Sequence, residues 1–399
     1  ILIGLVGSEM CIRDRPYIAL FVLYLLIYAE CSKKRVIYRS RLRYKDIAIV
    51  EKKHEYLVIA IYLLFYGLRG YIFTDCFQYH NYFEEASWRE DSIFETTSLF
   101  EPGYVLSNII IYQFSDSPFF FQFVWTFIDV ILLYIILKRE TGMYCILAFA
   151  ILIPFWDGVQ MNLWRNIKSI LIFCWAIKYI RNRCLWKYLL SILLACFFHL
   201  TSLFFLPLYW FINKDNRTIY MIISIISVVL YIVGVESFFE NIILIGILLG
   251  GKFDRISSGY IASAVDAGFT FGFCFRLFLM TLLLVCYPKL KKKNLIMLNM
   301  AFLFLCSNMA FNSVLVMRDR ISILFSMGIV CIMPYLIAVL CHSKAKVFIV
   351  GLLFAFMFAQ VYVQHNTPAA KYENILLGIS DKARAKIRIF EESSKAVDR

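Results

Sequence analysis

Long apolar runs separated by short polar segments recur along almost the whole chain. They fall at about residues 16–29, 55–73, 118–137, 142–156, 166–180, 185–212, 218–234, 269–288, 295–316, 321–341 and 347–364. A transmembrane helix needs about 20 apolar residues, whereas the strands of a membrane barrel would show short alternating segments. The pattern therefore predicts an all-α polytopic integral membrane protein with about 11–13 transmembrane helices.

Three segments depart from simple spans. The run 185–212 is long enough for two short helices that meet near His199. Segments 103–115 and 238–250 are too short to cross a bilayer, and we expect them to be interfacial or re-entrant at the outer face.

Both ends of the chain differ from its centre. Residues 1–15 contain GLVGSEMCIRDR, which resembles a translated sequencing-adapter sequence, so we expect them to be an artefact and 16–29 to be the remnant of a first span. Residues 16–364 are predicted to form one polytopic membrane domain. Residues 365–399 are predicted to be a basic tail with an amphipathic interfacial helix. Its apolar positions recur every three or four residues, at Ile375, Ile379, Ala383, Ile387 and Phe390.

Composition excludes an ordinary soluble enzyme and a disordered chain. Of 399 residues, 61% are apolar and 17% charged, against about 45–50% and about 25% in soluble domains. The 12 cysteines lie mostly inside apolar runs without a CxxC pair, which indicates packed thiols rather than disulfides or metal ligands. No nucleotide-binding motif is present, and we predict no metal and no cofactor.

The net charge of +13 indicates membrane orientation rather than nucleic-acid binding. Segment 30–54 holds nine Lys or Arg and three acids, so it should be cytoplasmic, whereas 69–101 holds seven acids and two bases and should be outside. If 103–115 does not cross, the later basic clusters also fall inside. They lie at 138–139, 178–187, 289–293 and 344–346. The same count places the tail outside, although its basic charge favours the cytoplasmic leaflet, so both sides stay open.

Charged and polar side chains collect at the predicted outer ends of the spans. They are Arg69, Asp75, Glu101, Arg165, His199, Arg318 and Arg320. Some could form an ordinary interfacial belt, cap a helix or sit satisfied in the core, and Asp319 could neutralise one of its neighbouring arginines. However, outer arginines oppose the positive-inside trend and suit a pyrophosphate. Carboxylates and a histidine can orient or deprotonate a hydroxyl. Such a site suits a lipid-borne, phosphate-containing glycan.

Four stretches resemble the EpsG/Wzy-type family of polysaccharide polymerases over about residues 55–340. They are LRGYIFTDCFQYHNYF from Leu68, EPGY from Glu101, the block from LWRNIKSILIFCWAIKYI to WKYLLSILLACFFHLTSLFFLPLYW, and VMRDRISILF. Three positions depart from the family pattern. Phe73 replaces a common glycine before Thr-Asp, Asn166 follows the central arginine in place of glutamine, and Lys168 stands where a small residue is usual.

The resemblance implies an inner-membrane glycosyltransferase that joins oligosaccharide repeat units carried on undecaprenyl pyrophosphate at the periplasmic or outer face. A flippase and a chain-length regulator are implied as partners, and nucleic acid is not. Our hypothesis assigns the pyrophosphate groups to Arg165, Arg318 and Arg320. Asp75 or Glu101 is the candidate base, and His199 is an alternative base or an orienting group. Arg69 pairs with Asp75 or binds the acceptor's phosphate.

Two other classes fit part of the pattern. A transporter or flippase for lipid-linked oligosaccharide would also have many helices and buried arginines, but it would show internal repeats or broken helices at matching positions. An O-antigen ligase-like enzyme is close in chemistry and would carry a large late outer loop, for which 235–268 is only moderately long. A membrane acyltransferase would need an early helical histidine, which His54 matches poorly.

Overall fold

A computed structural model describes residues 16–40, 44–85, 100–233, 270–341, 344–378 and 380–397. The described residues form helices and connecting turns without a β-strand, apart from an isolated bridge between Arg69 and Asn374. Residues 1–15 and 238–250, for which predictions were made above, lie outside the described part. The helices are α1 (Pro16–Ser40), α2 (Tyr44–Tyr62), α3 (Asp75–Glu84), α4 (Pro102–Tyr112), α5 (Pro118–Thr141), α6 (Cys145–Asn162), α7 (Trp164–Arg181), α8 (Leu185–Cys196), α9 (Leu208–Phe211), α10 (Arg217–Val233), α11 (Phe271–Ala310), α12 (Leu315–Ser322), α13 (Ser326–Leu340), α14 (Lys344–His365) and α15 (Lys382–Val397).

Five stretches of the described chain are long and apolar enough to cross a membrane. They are Pro16–Ser40, Pro118–Asn162, Phe271–Ala310, Met317–Leu340 and Lys346–His365. The prediction of an all-α polytopic membrane protein is therefore confirmed, while the count of about 11–13 spans stays a prediction. Shorter apolar helices accompany them, and one of these, α8, ends three residues before His199, which confirms the expected break there.

The chain divides into two compact units. The first contains the residues up to Leu206 and those from Gly351 onwards, and the second contains Pro207–Val350. In the second unit, α11 leaves helical geometry at Asn294, which separates the two apolar runs predicted there. Gly328 of α13 approaches α11 so closely that a Cβ atom would lie 2.4 Å from the backbone nitrogen of Ala301. Only glycine permits this approach.

The basic clusters of the first unit lie together at one end. Arg35 donates to the carbonyl of Met143 at 3.0 Å, which brings α1 to the turn that follows α5. Helix α7 carries Arg165 in its first turn and Arg181 in its last, so these two arginines mark opposite ends of the unit. Ion pairs at the basic end are Arg35–Glu51, Lys138–Glu55 and Arg181–Glu140.

Helix α4 begins and ends against the same group of aromatic rings. Tyr104 in its first turn lies 6.0 Å from Phe121, and Tyr112 at its end lies 5.6 Å from Phe83. Phe83 and Phe121 stack on each other at 4.9 Å. Since both ends of α4 contact this one group, the helix does not pass from one end of the unit to the other. The prediction that all the later basic clusters lie on the cytoplasmic side requires that residues 103–115 do not cross the membrane, and α4 agrees with that requirement.

Residues 366–378, which we call the C-terminal strap, cross the loop between α2 and α3. The amide of Gly70 donates to the carbonyl of Glu373, and the amide of Phe73 donates to that of Ala369, both at 2.9 Å. The strap therefore lies at the end of the unit opposite the basic clusters. Beyond it, α15 carries the predicted stripe positions Ala383, Ile387 and Phe390. Ile375 precedes this helix, and Ile379 lies outside the described residues.

Candidate functional site

Glu101 and Arg165 form an ion pair at the end of the first unit opposite the basic clusters. Glu101 immediately precedes α4, where Pro102 takes the first helical position, and Arg165 lies in the first turn of α7. The guanidinium also lies 4.6 Å from the ring centroid of Phe100. Both charged side chains keep about one-fifth of their surface exposed. They are therefore anchored and still accessible.

The turn that follows α8 joins the same group. Glu101 accepts a hydrogen bond from the amide of Leu200 at 3.4 Å, and the amide of Gly103 donates to the carbonyl of Phe197 at 2.8 Å. A glycine is required at 103, because a Cβ there would lie 2.8 Å from that carbonyl oxygen. One carboxylate thus connects Arg165 with the turn that contains His199.

His199 uses one ring nitrogen to shape its own turn. Its Nδ1 accepts from the amide of Thr201 at 3.3 Å and faces the Thr201 hydroxyl at 2.7 Å. Because Nδ1 accepts a hydrogen bond, the proton of the neutral ring lies on Nε2, and Nε2 is therefore a donor. This tautomer suits an orienting group better than a base.

Asp75 stands at the start of α3, near the residues that precede α7. Its amide donates to the side-chain oxygen of Asn162 at 3.0 Å, and its carboxylate accepts from the hydroxyl of Thr74 at 3.2 Å. The carboxylate is half-buried. Asn162 and Arg165 flank the short break between α6 and α7, so Asp75 lies on the Arg165 side of the unit.

Arg69 is buried beside Trp164 rather than paired with Asp75. Only 1% of its surface is exposed, and its guanidinium lies 5.0 Å from the Trp164 ring. It donates to the carbonyl of Tyr66, and its Nε has no hydrogen-bond partner among the described residues. The side chain of Gln122 donates to the Arg69 carbonyl at 2.8 Å and fixes the loop. A buried guanidinium whose Nε has no partner among the described residues can attract an anion.

Aromatic rings hold these elements together. Tyr79 of α3 stacks on Trp164 at 4.9 Å, and the Trp125 indole nitrogen donates to the Trp164 carbonyl at 3.3 Å. His80 lies edge-on to Phe119 at 4.9 Å. Burial, together with the positive charge of Arg69, lowers the pKa of His80 to about 3. His80 is therefore neutral and packed at ordinary pH.

Lys168 and Asp129 form a second, buried ion pair, which was not predicted. Lys168 lies one turn after Arg165 on α7, contacts the Trp125 ring at 4.0 Å and donates to the Trp125 carbonyl at 3.0 Å. Asp129 is fully buried in α5. The signal was available, because an ionisable residue in the middle of an apolar run needs a buried partner. This partner explains why a lysine is tolerated where the resemblance described above leads one to expect a small residue.

Asp157 is a second buried carboxylate near this end. It accepts from the hydroxyl of Tyr66, and its other oxygen lies 2.5 Å from Nε2 of His365 at the end of α14. His365 Nδ1 faces the carbonyl of Val361 at 2.8 Å, and Tyr17 stacks on the ring at 3.8 Å. Asp157 therefore connects the turn before Arg69 to the residue that precedes the C-terminal strap.

Arg318 and Arg320 belong to the second unit, on α12. Arg318 is half-buried and donates to the adjacent Asp319 at 2.8 Å, while Arg320 is exposed. Asp319 therefore neutralises one of the two arginines, as its position in the triplet suggested. Within the described part of the chain, no three His, Cys, Asp or Glu side chains are grouped so as to hold a metal ion.

Comparison with known proteins gives one result. No curated protein and no solved structure matches the chain. The EpsG family model, however, matches residues 54–375, which include the loop at Arg69, the Glu101–Arg165 pair, the His199 turn and α12. A polysaccharide polymerase-type function goes with this family. Since the match covers most of the 399 residues, the chain belongs to the EpsG family.

Proposed function

We propose that the protein is an inner-membrane polymerase that joins undecaprenyl-pyrophosphate-linked oligosaccharide repeat units at the periplasmic or outer face. Family membership supports the polymerase class. The separation of charge in the first unit supports the side, because its basic clusters lie at the end opposite Glu101 and Arg165. A flippase that delivers the units and a chain-length regulator are the proposed partners.

One observation carries the proposal most directly: Glu101 contacts both Arg165 and the turn that contains His199. An arginine can bind a pyrophosphate, and a carboxylate can accept a proton from a sugar hydroxyl. The two groups are held in contact, each about one-fifth exposed, by three separate elements of the fold. The arrangement thus supplies both functions that a transfer between lipid-linked glycans requires.

The proposed reaction exchanges one bond for another. The bond between the anomeric carbon of the growing glycan and the pyrophosphate oxygen breaks, and the anomeric carbon bonds to a hydroxyl of the next lipid-linked unit. The hydroxyl proton passes to the Glu101 carboxylate, and lipid pyrophosphate leaves with the electron pair. The donor's own sugar–phosphate bond supplies the driving force, so no nucleotide is consumed. Arg165 stabilises the charge that develops on the leaving group.

Substrate binding would also activate the base. In the ion pair, Arg165 holds the Glu101 carboxylate. An arriving pyrophosphate competes for the same guanidinium, because it carries more negative charge than one carboxylate. Glu101 is then released toward the acceptor hydroxyl. We assign Arg69 to the acceptor's phosphate, Arg318 and Arg320 to further pyrophosphate contacts, and Asp75 and His199 to orienting the acceptor.

The test measures the length of the surface glycan in a strain that lacks the native gene and expresses the Arg165→Gln variant. Loss of a transition-state contact of this kind lowers the rate about 10²–10³-fold. We expect single repeat units to accumulate on the lipid carrier and long chains to disappear from a gel. Arg165→Lys keeps a point charge without the bidentate geometry and should recover part of the length.

Arg181→Gln is the matched control, since Arg181 lies at the opposite end of α7 and is also paired with a glutamate, Glu140. It should leave chain length unchanged at equal expression. Unchanged long chains in Arg165→Gln would exclude this role for Arg165. Units retained on the cytoplasmic side of the deletion strain would instead identify a transporter. Long chains that remain on the lipid carrier and never reach a final acceptor would identify a ligase.

A further inference from the structure

Four large apolar side chains near the C-terminus are exposed on the C-terminal strap and α15. They are Leu376, Leu377, Ile387 and Phe390, with exposed fractions of 71%, 68%, 59% and 74%. In contrast, Ala385 of the same helix is fully buried, and Arg388 is largely covered. The helix therefore has one face on the protein and an apolar face away from it.

Helix geometry places charge on both sides of that apolar face. At about 100° per residue, Ile387 and Phe390 lie on the side of the helix opposite Ala385 and Arg388. Ala383 lies between Ile387 and Phe390 on the same apolar stripe. Arg384 falls on one flank of this stripe and Lys386 on the other, and both side chains are exposed. An apolar stripe bordered by long basic side chains is typical of a helix lying in a membrane interface.

Chain continuity places α15 near a bilayer surface. The span Lys346–His365 ends directly before the C-terminal strap, which is hydrogen-bonded to the loop between α2 and α3. Two ion pairs attach α15 to the same end of the unit. Arg388 pairs with the strap residue Glu373 at 2.6 Å, and Lys382 pairs with Glu84 of α3 at 3.6 Å.

The other oxygen of Glu373 accepts from the amide of Tyr71 at 3.2 Å. The strap also leaves no spare room at Gly70, where a Cβ would lie 2.7 Å from Cβ of Glu373. Through Arg388 and Glu373, the position of α15 is therefore linked to the backbone that follows Arg69. Binding of α15 to a surface therefore also orders the loop that follows Arg69.

We propose that α15 docks on a headgroup layer of anionic phospholipid, with Ile387 and Phe390 in the acyl region and Arg384 and Lys386 on the lipid phosphates. Positive charge on the helix complements the negative lipid surface, and the apolar stripe supplies an insertion depth of about 5–10 Å. The docked helix holds the C-terminal strap against the Arg69 loop. This inference does not depend on the proposed polymerase activity.

The test measures amide hydrogen exchange in the full-length protein in nanodiscs. One preparation contains phosphatidylcholine alone, and the other an equimolar mixture with phosphatidylglycerol. Two basic residues near an anionic surface favour docking at least about tenfold. We therefore expect residues 382–390 to exchange about tenfold more slowly in the mixture. The amides of Gly70 and Tyr71 should slow in parallel.

Two variants and a matched control decide the interpretation. Combined Arg384→Gln and Lys386→Gln should abolish the difference between the two lipids. Combined Ile387→Ser and Phe390→Ser should accelerate exchange in both. The control replaces two exposed lysines at the basic end, Lys52 and Lys53, with glutamine and should behave as wild type. Equal exchange of 382–390 in both lipids, or a control that behaves like the charge variant, would overturn the proposal. Because exchange needs no catalysis, a failed polymerase assay leaves this result unaffected.

Discussion

The amide of Phe73 donates a 2.9 Å hydrogen bond to the carbonyl of Ala369, while Phe73 itself has a left-handed backbone with φ of +62°. A residue other than glycine in this region costs about 1–2 kcal/mol. The resemblance described above leads one to expect a glycine at this position. The fold therefore keeps the left-handed turn that a glycine would adopt freely and stabilises it by the bond to the C-terminal strap.

We expect Phe73→Gly to remain within about 1 kcal/mol of wild type, because relief of backbone strain offsets the lost contacts of a half-buried ring. Phe73→Val should cost about 2 kcal/mol or more, since a β-branched side chain is least compatible with positive φ. Thermal unfolding in detergent measures both. If valine were tolerated as well as glycine, the backbone explanation would be wrong.

Breaking the Lys168–Asp129 ion pair should destabilise the protein strongly. Lys168→Met leaves a buried carboxylate without its partner, which costs about 3–5 kcal/mol. The double variant Lys168→Met with Asp129→Leu removes both charges and should recover most of the loss. Unfolding temperature and detergent-extracted yield give the comparison. A double variant as unstable as the single one would show that the missing volume, and not the unpaired charge, causes the damage.

Two conservative substitutions of a carboxylate by an amide can distinguish which of the two candidates, Glu101 or Asp75, is the base. Glu101→Gln removes the proton acceptor and the partner of Arg165, so polymerisation should fall about 10²-fold or more. Asp75→Asn keeps an oxygen that can accept from Thr74 and should stay close to wild type. The measurement is glycan length at matched expression in the deletion strain. The reverse order of the two effects would move the base to Asp75.

His80 should make stability pH-dependent. An unfolded histidine binds a proton below about pH 6.5, whereas the buried ring stays neutral until about pH 3. The unfolded state therefore binds more protons in this window, and stability is lost as the pH falls through it. At pH 5 the loss from this group is about 2 kcal/mol relative to neutral pH.

His80→Gln keeps a polar side chain that does not titrate. The difference in unfolding temperature between pH 7.5 and pH 5 should therefore shrink in this variant. His54→Gln is the control, because His54 lies near the basic end and is partly exposed. An unchanged pH dependence in His80→Gln would mean that the His80 ring is protonated in the fold.

The fold class and the grouping of Glu101 with Arg165 and the His199 turn could be anticipated from the chain. Each of these residues interrupts or ends an apolar run, and polar groups in such places gather where the spans end. The break at His199 was visible because the run 185–212 exceeds the length of one span. The five spans found in the described chain followed from hydropathy, which the bilayer imposes on every membrane helix.

Partners that lie far apart in the chain could not be anticipated. Asp129 and Lys168 occupy separate runs, and nothing in either run specifies the rotation that brings them face to face. Glu373 precedes the apolar stripe that begins at Ile375, and its pairing with the Tyr71 amide depends on backbone geometry at Gly70. The pattern of polarity indicates which residues leave the lipid, but packing decides which of them meet.

Helix α4 has a consequence for how the whole chain threads the bilayer. Because both ends of α4 contact one group of aromatic rings, the predicted topology has α5 entering the bilayer from the side on which α3 lies. An insertion that lengthened α4 by one span would reverse the parity of every loop that follows. The basic loops after α5 would then have to cross to the opposite surface, against the positive-inside rule. In the predicted topology, the shortness of this 11-residue helix therefore matters as much for the side on which each later loop lies as the charges of those loops.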